Sequence, residues 1–180
     1  MPDAALPLTA TGRMGVRVEA SAARPAQSLS AAFEWRGDGE RGELTLLSPL
    51  GTQVALARWW PGEALLITPD GQTRFDTLGA LAERALGERV PLVAWPDWLA
   101  GRPWRGAAWA PLEGAAIAPA ASAPVARAGA GDAGQGAGFE QLGWRVDLSR
   151  HADGRIEARR SAPPVVTVRI VLDNEARPRP

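Results

Sequence analysis

The sequence predicts one mainly β domain over residues 1–180, in which a curved antiparallel sheet is covered on its concave face by short helices. Apolar and polar residues alternate with a period of two through most of the chain, as in half-buried strands. The 16 prolines and 20 glycines imply many turns, which favours a β-rich fold. Helical spacing is confined to one stretch after the first half, and 180 residues suit a single core of useful size.

The strands are predicted in chain order from this alternation. Residues 13–19 form the first strand and residues 28–36 the second, which alternates most clearly. Residues 37–40 contain two glycines and close a hairpin. The remaining strands are predicted at 44–47, 53–60, 63–68, 72–75, 142–148, 155–159 and 165–172, giving roughly seven to nine strands in a meander. Residues 104–111 are a mixed segment that could add a short strand.

Two helices are predicted between the two groups of strands. Thr77 suits the N-cap, apolar residues follow with helical spacing from Leu78, and Gly87 is a suitable C-terminal stop. A second short helix covers residues 92–99, with a proline in its first turn. Both helices carry an apolar stripe that needs an apolar partner, and the preceding sheet is the expected one.

Two segments are predicted to lack stable structure. Residues 115–138 are almost entirely alanine, glycine, proline and serine, so they bury little surface and are expected to form a flexible loop. The tail 174–180 is expected to be disordered. Residues 129–134 match the dinucleotide-binding fingerprint on paper, but they lack the preceding strand and following helix that the site needs, so we interpret the match as chance.

Composition excludes several classes of function. The chain has 20 basic and 20 acidic residues and a formal net charge of zero, so it has no overall field that would attract nucleic acid. It has no cysteine and one histidine, which exclude disulfides, cysteine metal sites and histidine-rich metal sites. No apolar run is long enough to span a bilayer, and no export signal is visible. We expect neither a metal nor another cofactor.

The sequence gives no sign of an enzyme. Ser149, His151 and Asp153 lie close together, but a catalytic triad depends on geometry, and alternate residues around a turn usually face solvent. No Gly-x-Ser-x-Gly elbow accompanies them. The carboxylates are scattered, so a solvated surface role is expected for each.

The turn between the third and fourth strands carries an unusual side chain. Pro49 fixes its own φ, and Gly51 supplies a conformation closed to most residues, so both suit a tight turn. The turn does not require Leu50, and apolar side chains are unusual at loop tips. Spacing alone favours a Leu50 that folds back onto the sheet. The alternative is an exposed apolar side chain that touches a lipid or a membrane.

An apolar cavity is predicted between the sheet and the helices, because a curved sheet can leave more interior than its own side chains fill. The alternative is a packed core without a cavity, and pattern alone does not separate the two. The candidate lining residues are Val16, Val18, Phe33, Trp35, Leu44, Leu46, Val54, Leu56, Leu81, Ala85, Leu86, Trp95, Trp98 and Leu99.

Several stretches, in order along the chain, resemble the LolB family of outer-membrane lipoprotein receptors. The Pro-Leu-Gly loop within residues 42–51 and the Trp-Leu-Ala-Gly segment within residues 97–103 are the most specific. The resemblance covers roughly residues 10–175. The other matching stretches are 11–18, 33–35, 85–87, 90–92, 142–146 and 168–173.

The resemblance implies an unclosed β-barrel, covered by short α-helices, with an apolar cavity inside. Such proteins accept acylated lipoproteins from a LolA-type periplasmic carrier and insert them into the lipid of the outer membrane, without nucleotide or metal. In proteins of this family, the leucine that matches Leu50 is exposed and is important for transfer to the membrane. The resemblance therefore favours Pro49, Leu50 and Gly51 as a membrane-insertion loop, with Leu50 exposed.

The resemblance also implies a place in the cell. Family members sit on the periplasmic face of the outer membrane, anchored through a lipidated N-terminal cysteine that this chain lacks, so we expect the anchor upstream in the full-length protein. A monomer is expected. Two alternatives stay open at this point: a soluble periplasmic carrier of the LolA type, and a non-catalytic β domain with a filled core.

Overall fold

The computed structural model describes residues 8–112 and 138–173 of the chain. These residues form eleven strands and two α-helices. The strands are β1 (Leu8–Val18), β2 (Gln27–Gly37), β3 (Gly42–Leu47), β4 (Gln53–Trp60), β5 (Glu63–Thr68), β6 (Gly71–Phe75), β7 (Trp109–Pro111), β8 (Gly138–Gln141), β9 (Trp144–Asp147), β10 (Arg155–Arg160) and β11 (Val166–Leu172). The helices are α1 (Leu78–Leu86) and α2 (Trp95–Leu99), with 3-10 turns at Leu92–Ala94 and His151–Asp153.

All eleven strands belong to one antiparallel sheet, in the order β6-β5-β4-β3-β2-β1-β11-β10-β9-β8-β7. The outermost strands β6 and β7 do not pair with each other, so the barrel is unclosed, and the helices cover it. The predicted fold class is confirmed. The prediction of roughly seven to nine strands is too low, because β8 was not predicted and the candidate segment 104–111 does contain a strand, β7.

The first and last strands join two meanders at the middle of the sheet. Strands β1 to β6 follow one another in order on one side, and β7 to β11 do so on the other. Strand β1 pairs with β11 from Gly12 opposite Leu172 to Val18 opposite Val166. A Cβ added at Gly12 would meet the carbonyl oxygen of Val171, so this junction requires a residue without a side chain.

Helix α1 has the ends that its sequence predicts. The Thr77 hydroxyl oxygen accepts a hydrogen bond from the amide of Ala80 at 3.1 Å, and Gly87 takes a left-handed conformation with φ 81°. Leu81, Ala82 and Leu86 are buried against the sheet. Within the two described ranges, no helix has both the length and the apolar character needed to cross a bilayer.

The predicted inward face of β4 is wrong. Leu47 lies opposite Gln53, and a regular ladder from there would place Val54 beside Leu46 on the concave face. Instead the register shifts by one residue, so that Leu46 lies opposite Ala55. A one-residue shift exchanges the faces of a strand. Strand β4 therefore buries Ala55, Ala57 and Trp59, while Val54 is 39% exposed and Leu56 is half-buried on the outer face.

The strand predicted over residues 142–148 is confirmed as β9 only from Trp144 to Asp147, and its predicted start is wrong. Leu142 and Gly143 form the turn between β8 and β9, with φ angles of 54° and 78°. Leu142 is consequently exposed instead of facing the core. Gly138 begins β8, although it was predicted to end the flexible loop. The rest of that loop, the fingerprint match at 129–134 and the tail 174–180 lie outside the described residues.

Candidate functional site

The loop between β3 and β4 is short and hydrogen-bonded within itself. The amide of Gly51 donates to the carbonyl of Ser48 at 2.9 Å, and the amide of Ser48 donates to the carbonyl of Thr52 at 2.8 Å. The amide of Thr52 lies 3.3 Å from the Ser48 hydroxyl oxygen. Gly51 has φ 81° with open space around it. These bonds fix a turn in which Pro49 and Leu50 form the tip.

Leu50 points into solvent and is 94% exposed. The alternative in which Leu50 folds back onto the sheet does not describe this structure. Because an exposed leucine at a loop tip contributes nothing to the core, packing does not explain why an aliphatic residue stands at this position.

Twelve of the fourteen predicted lining residues face the space between the sheet and the helices. Val54 and Leu56 are the exceptions, because of the shifted register of β4. Ala85 is partly buried at the edge of this space. The other eleven are buried: Val16, Val18, Phe33, Trp35, Leu44, Leu46, Leu81, Leu86, Trp95, Trp98 and Leu99.

Aromatic rings fill the middle of the concave face. The ring centroids of Trp35 and Trp59 are 4.9 Å apart, and those of Trp35 and Trp95 are 6.0 Å apart. Phe33 meets Trp95 edge-on at 6.4 Å. In this conformation, α2 thus seals the centre of the sheet with side chains, and each aromatic pair adds to the stability of the closed form.

An open apolar cleft of about 360 Å³ lies beside this packed centre, between the C-terminal part of α1 and the ends of β1 and β2. Val16, Val18, Ala85 and Leu86, four of the predicted lining residues, form most of its wall together with Leu29. The other residues that line it are Gln27, Ser28 and Gly87.

The cleft and Leu50 lie at the same end of the sheet. We call this end, which carries the turns at Leu50 and Leu142 and the connection between β1 and β2, the Leu50 end. The strand register shows that these features share one end of the sheet. Val18, in the cleft, lies opposite Gln27 at the start of β2. Leu47, the last residue of β3, lies opposite Ala32 of β2, and the β3–β4 turn extends from there towards the same end.

A second open cleft, of about 400 Å³, lies at the opposite end of the sheet. Trp59, Trp60 and Leu78 line it together with the carboxylates of Glu63 and Asp76. The lining of this cleft includes acidic side chains, whereas none of the residues that line the cleft at the Leu50 end is charged.

A buried amide fastens the helical region to the sheet. The Gln141 side-chain oxygen accepts from the Trp98 indole at 3.0 Å and from the Trp104 amide at 2.8 Å. Its nitrogen donates to the carbonyls of Trp104 and Ala107, the latter at 2.8 Å. The sequence analysis missed Gln141, because the partners that bury it lie 34 to 43 residues away along the chain.

An ion pair makes a second attachment at the Leu50 end. Arg160, at the end of β10, lies 3.4 Å from the Glu88 carboxylate just after α1, and both side chains are largely buried. The guanidinium also lies over the Trp144 ring, 5.6 Å from its centroid. The pair ties the C-terminal end of α1 to the sheet next to the cleft.

The three polar residues considered for a triad do not form one. His151 Nε2 lies 3.0 Å from the carbonyl oxygen of Leu99. Because a carbonyl oxygen can only accept, this nitrogen carries the proton and donates a hydrogen bond to the end of α2. The Asp153 carboxylate lies 3.6 Å from Arg150. In the described part of the chain, neither His151 nor Asp153 bonds to Ser149, and no group of three or more acidic, histidine or cysteine side chains could hold a metal.

Comparison with known proteins agrees with this arrangement. The family described as outer membrane lipoprotein LolB matches residues 8–174. The chain is 34% identical to the outer-membrane lipoprotein LolB of Bordetella petrii over 143 residues, which are 79% of this chain and 63% of that protein. It is 37% identical to that of Bordetella pertussis over 141 residues, which are 78% of this chain and 62% of that protein. The chain thus spans less than two thirds of the length of these relatives. With its open sheet, helical cover and protruding loop, the protein belongs to the LolB family.

Proposed function

We propose that this protein accepts acylated lipoproteins from a LolA-type periplasmic carrier and inserts them into the outer membrane. The observation that carries the proposal is the 94% exposed Leu50 on a short, hydrogen-bonded loop, at the same end of the sheet as the apolar cleft. The related proteins are named outer-membrane lipoproteins, which supports a lipid-anchored position on the periplasmic face of that membrane.

The cleft supplies a place where an acyl chain first leaves water. Each CH₂ group transferred to an apolar wall gains about 0.8 kcal/mol, so even partial burial beside Val16 and Leu86 holds a chain. Full burial requires the rings of α2 to move off Trp35, because they fill the centre. This cost keeps the chain bound less tightly than in a bilayer, which is the condition for passing it on.

Leu50 supplies the contact with the receiving bilayer. Moving a leucine side chain from water into an apolar layer is worth about 1.5–3 kcal/mol. Because Leu50 is already exposed and its loop is held by its own hydrogen bonds, this contact needs no unfolding of the sheet. It brings the cleft, and the chain inside it, next to the membrane surface.

The test is a transfer assay with carrier-bound acylated lipoprotein and outer-membrane vesicles. Leu50→Glu replaces the apolar contact by a charge, so it should still take lipoprotein from the carrier but deliver at least about tenfold less to the vesicles. Leu50→Met keeps an apolar side chain and should deliver normally. If Leu50→Glu inserts lipoproteins as the unmodified protein does, the proposed role of the loop is wrong.

The packed aromatic centre favours a second candidate, a non-catalytic β domain with a filled core. A fluorescent fatty acid decides between the two. The proposed function predicts saturable binding that Ala85→Trp weakens by blocking the cleft, whereas a filled core predicts no saturable binding. The soluble-carrier alternative is less well supported, because the family match and the protruding loop both agree with a receptor.

A further inference from the structure

A second apolar loop tip lies at the Leu50 end. Leu142 is 44% exposed in the two-residue turn between β8 and β9. Both turn residues have positive φ, a conformation for which asparagine, aspartate and glycine are favoured. Leu142 is the one non-glycine residue with positive φ in the described part of the chain. Neither the turn nor the core accounts for a leucine here, so the residue needs another explanation.

A row of arginines runs across the outer face towards this tip. In the strand register, Arg17 on β1 lies opposite Thr167 on β11. Thr167 in turn lies opposite Arg159 on β10, and Arg159 lies opposite Arg145 on β9. Four adjacent strands span about 14 Å at the usual spacing. We call Arg17, Arg159 and Arg145 the arginine row. All three are exposed, and within the described residues none forms an ion pair.

The outer face around the row carries an excess of positive charge, although the chain as a whole is neutral. The acidic groups there offset the row only in part: Glu157 is bound by Arg169 at 2.8 Å, and Glu140 lies opposite Arg145 without reaching it as an ion pair. On β1 and β8–β11, the outward charged residues are Arg13, Arg17, Arg145, Arg155, Arg159 and Arg169 against Glu140, Asp147 and Glu157. Glu19, exposed directly after β1, adds one more negative charge at this end, so six positive charges face four negative ones.

The register places the row and both leucines at one end. The turn at Leu142 directly precedes Trp144 and Arg145, and Arg159 and Arg17 lie next to the ends of their strands on the same side. Leu50 is on the other side of β1. A cationic row flanked by two apolar tips fits the surface of an anionic phospholipid bilayer, where headgroup charge lies above an apolar layer.

We propose that the arginine row and Leu142 form a second membrane contact, in which the guanidinium groups bind anionic phospholipid headgroups while Leu142 enters the apolar layer. The inference rests on the proposed function, since both place the Leu50 end against a bilayer. One contact at Leu50 leaves the sheet free to tilt. Contacts on both sides of β1 fix the orientation of the sheet on the membrane, so that the cleft stays turned towards the bilayer.

The test measures binding of the cargo-free protein to phosphatidylethanolamine vesicles with and without phosphatidylglycerol. Removing a basic residue near an anionic surface weakens binding about fivefold, so Arg17→Gln with Arg145→Gln and Arg159→Gln should lose on the order of 100-fold on the anionic vesicles only. The control Arg36→Gln removes an exposed arginine on the same face at the opposite end, and it should change little.

Leu142→Asn separates membrane binding from folding. Asparagine suits the positive φ of the turn, so the melting temperature should stay the same or rise. The loss of the apolar tip should weaken binding about tenfold on both kinds of vesicle. A fall in binding without a fall in stability cannot come from damage to the fold.

The outcomes also separate this inference from the function on which it rests. If Leu142→Asn and the triple arginine variant bind vesicles as the unmodified protein does, the second contact is refuted even where Leu50→Glu blocks insertion. If the triple arginine variant binds vesicles normally but takes less lipoprotein from the carrier, the arginine row docks a protein. The proposal that the row binds phospholipid headgroups is then overturned. Normal insertion by Leu50→Glu refutes the loop's role and leaves the vesicle-binding result to stand on its own.

Discussion

Replacing Gln141 by leucine tests how strongly the buried amide fastens the helical region to the sheet. Gln141 is 2% exposed and makes four hydrogen bonds, two as acceptor and two as donor. Leucine has a similar volume but none of these bonds. The indole of Trp98 and the amide of Trp104 would then lose their acceptor in a buried place.

The structure allows an estimate of the cost. A buried donor left without a partner costs about 1–3 kcal/mol, and two donors are orphaned. The two carbonyls that lose a donor add less, because Trp104 and Ala107 are only partly buried. We therefore expect Gln141→Leu to lower the free energy of unfolding by about 3–5 kcal/mol, which is a large part of the total for a domain of this size.

Urea unfolding followed by tryptophan fluorescence measures this change. Gln72→Leu, in the exposed edge strand β6, is the control and should change the free energy of unfolding by less than about 0.5 kcal/mol. A loss below about 1 kcal/mol for Gln141→Leu would show that the four bonds add little beyond packing, and our account of how α2 is held would be refuted.

Two further predictions concern the junction of β1 with β11 and the surface of α1. Gly12→Ala should lower the free energy of unfolding in urea by about 1–3 kcal/mol, because the new Cβ meets the Val171 carbonyl. The control Gly15→Ala has room for a methyl group and should not lower it. Equal effects of the two substitutions would contradict the described packing. The hydrogen bond from Arg89 holds the pKa of the Glu83 carboxyl below its ordinary value, so the pair contributes stability that is present above the ordinary pKa and is lost as the pH falls through the lowered one. Glu83→Gln should therefore lower the melting temperature slightly at neutral pH and leave it unchanged in acid, where the unmodified carboxyl is protonated; the same difference at both pH values would contradict this assignment.

Local signals in the sequence were enough for most of the fold. Thr77 and Gly87 bound α1 as predicted, because capping depends on residues within one turn of the helix. Alternation found nine of the eleven strands, since burial on one face alone produces that pattern. The other two strands are too short to show a period: β8 was not predicted, and β7 lies within the mixed segment 104–111.

The wrong predictions for β4 and for the turn at Leu142 come from features that the alternation of apolar and polar residues does not show. One extra residue after Gln53 exchanged the faces of β4, and the signal available was Arg58, which shares its face with Val54 and Leu56. The turn at Leu142 was missed because leucine is not a turn residue at positive φ.

Parts of the site depend on neighbours that are remote along the chain. Gln141 bonds to residues 34 to 43 positions away, so its partners could not be read from its own surroundings. The arginine row joins residue 17 to residues 145 and 159, which become neighbours only when β11 pairs with β1. Leu50 was visible from the sequence because its loop is local. Spacing alone favoured a side chain folded back onto the sheet, and only the family resemblance favoured the exposed side chain that the structure shows.

The pairing of the first strand with the last has a consequence for how the chain folds. Every other neighbour pair in the sheet comes from strands that are successive along the sequence, so β1 to β6 can assemble early as a unit. The β1–β11 ladder closes a loop of about 150 residues and is expected to form late. Until it does, β1 presents a long unpaired edge at what becomes the middle of the sheet, and a strand from another molecule could add there.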